Sequence, residues 1–388
     1  MIKFEAGNNE PCCIKIKVIG IGGGGTNAVN TMINAGLKNI SFASVNTDVQ
    51  GLQMAQSSEK IQIGAELTGG LGSGARPEVG KEAAMQSLQM LHDTVDGIDI
   101  LFLTAGFGGG TGTGAAPIIA QIAKELDILC IGVVTRPFGF EGKKRAMNAI
   151  EGLEELKHHV NTMICIPNDK ILDMIDEETP FADAFKAVDG IISDTISNMT
   201  NIITEPGLIN LDFADLKTIM SIKGDSVLSF GEGRGKNKAL NAVDATLSSV
   251  LVEDRTIQGA KGLLLSIVGG DDMTLFEVNN AVKRFTKMVH PDANIIFGTN
   301  IDKNIKDKVY ISMVATGIDP IASVVEKMNF DREFTTDITD VQVRRPVDIQ
   351  FEQDSLFAQK SEEEDLETPT FIRRNRRLFG TPLYSNDE

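Results

Sequence analysis

No tryptophan occurs in the 388 residues, tyrosine occurs twice, and cysteine and histidine four times each. The cysteines stand at 12, 13, 130 and 165 without CxxC spacing, so neither a disulfide framework nor a zinc site is suggested, and they are read as reduced thiols. His158 and His159 are neighbours, which on a helix point about 100° apart and make a poor metal pair. No apolar run approaches the roughly 20 residues needed to cross a bilayer. The opening MIKFEAGNNEPCC has neither a basic, then apolar leader nor an Arg-rich amphipathic stretch. A cytoplasmic location without direct membrane insertion is therefore expected. Lys and Arg number 37 against 54 Asp and Glu, a net charge of −17 that would repel a nucleic-acid backbone. Nucleic acid is thus not an expected partner, and any anionic ligand must be held locally.

What is present is an alternation. Apolar runs at Ile14–Ile19, Ile40–Val45, Ile98–Leu103, Ile128–Val134 and Met163–Ile166 read as buried strands. Helical spacing fills the intervals at Asn27–Ala35, Pro77–Leu91, Ala115–Leu126 and Lys143–Val160. The pattern predicts a doubly wound, mainly parallel sheet over 14–179, with ligands at the carboxyl ends of its strands. A long helix is expected over 180–205, stopped at Glu205-Pro206-Gly207. Beyond it, strands at Val227–Phe230, Gly262–Val268, Asn294–Phe297 and Lys308–Val314, with helices near Lys238–Leu251 and Leu275–Val289, predict a smaller mixed α/β domain over 206–317. Residues 1–13 are expected to be flexible. Residues 318–366, which include the acidic block Glu362–Asp365, read as a disordered linker. The tail 367–388 holds a short apolar and basic island around Phe371-Ile372-Arg373-Arg374, which has the character of a docking peptide.

Three glycine-rich segments each join a strand region to a helix. The first, Gly20-Ile-Gly22-Gly-Gly-Gly25, satisfies GxGxxG with Asp48 following near the end of the second strand, and taken alone it favours dinucleotide binding. A second, Gly106–Gly114, and a third, Gly69–Pro77, suit a longer, triphosphate-sized anion. No G-x4-GK-[ST] motif occurs, so backbone amides, helix dipoles and Mg2+ are expected to compensate the phosphate charge. A side chain placed at Gly110 is expected to block phosphate while leaving the fold intact.

The run GGGTGTG at Gly108–Gly114 resembles the signature of the tubulin/FtsZ GTPase family. GIGGGGTNAV, VNTD at 45–48, TRPFGFEGKKR at 135–145, IPNDK at 166–170 and NLDFAD at 210–215 narrow the resemblance to its bacterial cell-division branch, over roughly residues 14–317. The tail at Thr368–Arg374 is similar to that branch's partner-binding peptide. Thr26 and Arg76 depart from the family's common residues, and Arg76 is read as an added phosphate contact.

By this resemblance Gly23, Gly24, Gly25, Thr26 and Asn27 line the first nucleotide loop, and Gly109, Gly110, Thr111, Gly112 and Thr113 the phosphate loop. Glu141 and Arg145 meet ribose and phosphates, and Asn168 joins the nucleotide contacts. Phe185 and Asp189, four apart on one helix face, stack on and accept from a guanine, whose N1–H and amine are both donors. From spacing alone, Asn210, Asp212 and Asp215 are an Asx cap with a dipole-matched carboxylate. The resemblance makes them the catalytic loop that one subunit inserts into the next subunit's pocket, hydrolysing GTP to GDP. It also implies a head-to-tail homopolymer, a ring at the division site on the inner face of the membrane, and adaptor and membrane-tether proteins bound through the tail.

Overall fold

In a computed structural model the described residues are 14–172, 174–176, 178–204, 213–249 and 257–318. Strands β1 (Ile16–Ile21), β2 (Ser41–Asn46), β3 (Glu59–Gln62), β4 (Ile100–Gly106), β5 (Leu129–Arg136) and β6 (Thr162–Pro167) pair in parallel in the order β3-β2-β1-β4-β5-β6. Strands β7 (Asp225–Arg234), β8 (Gly262–Gly269), β9 (Asn294–Ile301) and β10 (Lys308–Ile318) continue the same sheet as β7-β10-β8-β9, with β10 antiparallel to β7 and β8. One register pair, Ile164 with Ser226, joins the two halves across β6 and β7. Strands β1, β4 and β5 are buried on both faces and mainly apolar, as a covered parallel sheet requires, and the buried Lys17 of β1 is paired with Glu59 at 2.9 Å.

The helices are α1 (Gly22–Asn34), α2 (Val49–Gln53), α3 (Ala65–Thr68), α4 (Pro77–Gln86), α5 (Leu88–Val95), α6 (Thr111–Glu125), α7 (Lys143–Lys157), α8 (Asp169–Leu172), α9 (Phe181–Thr204), α10 (Phe213–Met220), α11 (Lys238–Leu247) and α12 (Leu275–Thr286). The helix expected over Pro77–Leu91 is two helices, because Ser87 leaves helical backbone between α4 and α5. Two others begin earlier than expected: α1 and α6 draw the glycine runs themselves into their first turns.

Helix α9 is long because its apolar residues recur on one face. Ala184, Val188, Ile192, Ile196 and Met199 are all buried, the last four in one apolar cluster with Ala28, Val29 and Met32 of α1 and residues of the sheet. Each of the larger side chains contributes about 1.5–3 kcal/mol by leaving water. The same apolar cluster includes Leu228, Leu264 and Val314, so one core runs under strands of both halves of the sheet.

Candidate functional site

The three glycine segments converge at the N-terminus of α6. Gly110 caps that helix, and no acidic residue occupies its first turn, so its first N–H groups and positive dipole end are free of internal compensation. The Thr111 hydroxyl lies 2.7 Å from that of Thr47, at the end of β2, and 3.1 Å from that of Ser73, in the third segment. Thr113 accepts from the Gly108 N–H at 2.9 Å. Asn148 of α7 donates to both Ala75 O and Gly108 O at 3.4 Å. Side chains of the loops thus fasten the loops to one another, and the backbone is left to face a ligand.

The glycines divide into two kinds. A Cβ on Gly20 would stand 2.3 Å from Gly25 O, and one on Gly25 would stand 2.4 Å from Thr104 O, so these two allow strand and helix to touch. Gly112 is packed likewise, its Cβ falling 2.8 Å from Gly106 O. Gly110 has no room either: its Cβ would meet Ser73 Oγ at 2.1 Å. The expectation that a side chain at Gly110 leaves the fold intact is corrected by that contact. Gly23 and Gly109, in contrast, would meet nothing within 4 Å, and Gly24 touches only Gly106. These are the positions where added bulk projects from the loops. Thr26 is buried and donates to Gly22 O at 2.8 Å, so its hydroxyl is spent inside α1, whereas Asn27 is exposed. Asp48, the acid of the dinucleotide fingerprint, accepts from Gln50 N at 2.9 Å as the cap of α2. It performs local work where a Rossmann site would need it for ribose.

At the other side of the site, beyond β5 and β6, four phenylalanines meet. Phe185 stands edge-on to Phe138 with centroids 5.3 Å apart, Phe138 stacks on Phe140 at 4.9 Å, and Phe181 contacts Phe185 at 5.0 Å. They line a cavity of about 320 Å³. Phe138, Phe140 and Phe181 stand outside the expected set, although the four-residue spacing of Phe181 and Phe185 is a visible one-face signal. Glu141 accepts from Phe138 N at 2.9 Å and pairs with Arg145, four residues on. These two predicted residues thus hold each other. Asn168 is buried, and its Oδ1 has no partner among the described residues, an acceptor left over after the fold is satisfied. Asp189 is half-buried on α9, and burial pushes its carboxyl up to about 7.

Asn210 and Asp212 lie outside the described residues, as do residues 1–13 and the linker and tail from 319 onward. Asp215 is described, exposed in the first turn of α10. Two residues on, Lys217 binds the Asp127 carboxylate at 2.8 Å, and Asp127 follows the C-terminus of α6. Asp215 is thus at the opposite end of α6 from Thr111, separated by a 15-residue helix about 22 Å long. The predicted nucleotide residues come together; the predicted catalytic acid stands apart from them.

Residues 15–176 match the Tubulin/FtsZ family GTPase domain, and residues 224–319 match the FtsZ family C-terminal domain. The empty FtsZ dimer of M. jannaschii is 39% identical with a TM-score of 0.73, covering 79% of this chain and 88% of its own. The chain belongs to the FtsZ family. A tryptophan-to-tyrosine mutant of M. jannaschii FtsZ agrees, at 40% identity, TM-score 0.73, and 79% and 91% coverage. CetZ2 from Haloferax volcanii, solved as a GTPγS-bound protofilament, shares the fold at 18% identity and TM-score 0.68, covering 83% of this chain and 100% of its own. As an FtsZ-family chain this is a cytoskeletal GTPase, and its GTPase domain implies binding of GTP or GDP. The residues fit that group: amides at a bare helix N-terminus for phosphate, rings and a carboxylate for the base. Among the described residues no helix is long and apolar enough to cross a membrane, and no three acidic, His or Cys side chains cluster as a metal site.

Proposed function

We propose that this chain binds GTP across the three glycine loops and hydrolyses it only when a second copy brings Asn210, Asp212 and Asp215 to the phosphates. The observation that supports this reading is the Lys217–Asp127 pair, which ties α10, with Asp215 in its first turn, to the far end of α6 from the phosphate loop. Asp215 cannot reach its own subunit's nucleotide. A contact between such unlike poles is heterologous and propagates as an open filament unless its rotation closes a ring. A relative of this chain, the FtsZ of M. jannaschii, exists as a dimer, which supports self-association.

In this mechanism the Gly23–Asn27 and Gly109–Thr113 backbones hold the phosphates, with Glu141, Arg145 and Asn168 beside the ribose. Phe185 and Asp189 select guanine. Asp212 and Asp215 of the neighbour orient and polarise the attacking water, and Asn210 positions that loop. Bound Mg2+ would supply charge compensation beyond what the loops, which have no lysine, can give. The filaments form the division ring of a bacterial cell at midcell, and the tail 367–388 docks adaptors and membrane tethers through its apolar and basic island.

Mixing two inactive variants tests this. Asp215→Ala should bind GTP yet turn over about 10²–10⁴ more slowly. Gly23→Val should lack nucleotide but keep the acidic segment. Together they should regain turnover that rises with protein concentration, and truncation after Glu367 should leave that turnover unchanged. Turnover per subunit that is independent of concentration, with no gain on mixing, would show each copy to be self-sufficient and would overturn the reading.

A further inference from the structure

Arg76 is the sole basic side chain in the three glycine segments Gly20–Asn27, Gly69–Pro77 and Thr104–Gly114. It sits where electrostatics alone would not place it. As the residue preceding α4 it occupies the cap position without any side-chain capping bond, a place favouring Ser, Thr, Asp or Asn because their oxygens accept helix N–H groups. A guanidinium has no acceptor to offer. Its backbone N and O each lie 2.8 Å from where a Cβ of Gly110, the cap of α6, would stand. The Arg76 backbone therefore adjoins two positive helix ends, a place whose dipoles disfavour a cation. The side chain is exposed and has neither an ion pair nor a hydrogen bond among the described residues. An anion held between the helix ends and the guanidinium would turn this repulsion into attraction.

The sheet order says which part of the anion. Residues 70–76 are tied to the end of β2, through Val49 N–H to Gly70 O and the bridge between Asp48 and Leu71. Phe138 and Asn168, at the base end, follow β5 and β6, whereas β2 lies beyond β1 on the other side of the phosphate loop after β4. The Arg76 segment consequently flanks the phosphates on the side away from the base.

We propose that Arg76 contacts the terminal phosphate and gives the site its preference for triphosphate over diphosphate. This rests on the nucleotide reading of the three-loop site. Losing a hydrogen bond to a charged group weakens binding about tenfold to a hundredfold, so Arg76→Gln should lose that much affinity for a non-hydrolysable GTP analogue. Its affinity for GDP should stay within about twofold, since no contact with the two inner phosphates is assigned to it. Arg76→Lys should fall between, keeping charge but losing the planar fork.

The measurement is calorimetric titration of wild type and both variants with GDP and with the analogue, at concentrations where light scattering detects no assembly. Nucleotide-free melting of each variant checks that the loop is undisturbed. Equal losses for both nucleotides, or no loss for either, would overturn the assignment of Arg76 and leave the site standing. A wild-type protein that binds neither nucleotide would overturn the site itself and this inference with it.

Discussion

The hydroxyls of Thr47 and Thr111 lie 2.7 Å apart in the interior, and through them the end of β2 is fastened to the first residue of α6. Ser73 reaches the same Thr111 oxygen at 3.1 Å, so one hydroxyl holds two loops. Thr111→Val keeps the shape and leaves two buried hydroxyls without this partner. A cost of about 1–3 kcal/mol is expected, which for a domain of this size lowers the melting temperature by roughly 2–10 °C. GTP affinity should fall as well, because the loops must then be ordered by the ligand. Thr111→Ser should restore both, and a Thr111→Val protein that matches wild type in melting and titration would show the hydroxyl to be idle.

Glycine substitutions should separate packing from binding. Gly110→Ala forces a methyl against Ser73 Oγ and the Arg76 backbone and should destabilise the nucleotide-free protein, by about 1–3 kcal/mol as overpacked positions generally do. The Cβ added by Gly23→Val meets no protein atom within 4 Å, so this variant should melt normally while losing GTP binding. Thermal melts and GTP titrations of the two variants should therefore come out opposite in kind. Identical behaviour of the pair would contradict this division of the loops.

The Asp189 carboxyl, raised to about 7 by burial, gives a pH dependence of definite sign. In the window between the ordinary carboxylate range near 4 and about 7, the folded nucleotide-free protein holds a proton at Asp189 that the unfolded chain has released. Its stability should fall as pH rises through that window and level off above it. Guanine, offering two donors, binds the ionised form, so GTP affinity should climb from pH 5.5 to 7.5 and then flatten. Asp189→Asn should remove the climb, and Asp189→Ala should weaken binding by about 2–5 kcal/mol. A wild-type affinity for GTP that does not vary with pH, or that equals its affinity for ATP, would remove Asp189 from base recognition.

Much was settled along the chain itself. Strand runs such as Ile98–Leu103, the three glycine segments and the helix opening near Pro180 are local signals, carried by apolar period and by backbone freedom that only glycine has. Local signals could not say what each glycine is for. Gly110 and Gly23 look alike in sequence, and only the approach of Ser73, from a different loop, makes one a packing contact and leaves the other open. Strand β3 escapes a reading of the sequence because Glu59–Gln62 is a short, polar edge without alternation, and the single Ile164–Ser226 pair that extends the sheet to ten strands has no sequence mark at all. Asp48 as a cap, Thr26 turned into its own helix, and the raised carboxyl of Asp189 likewise depend on which atoms are brought near from afar. Residue types and spacing determined which chemistry this protein carries. Long-range packing, which sets distance and desolvation, decided which of those residues remain free to use it.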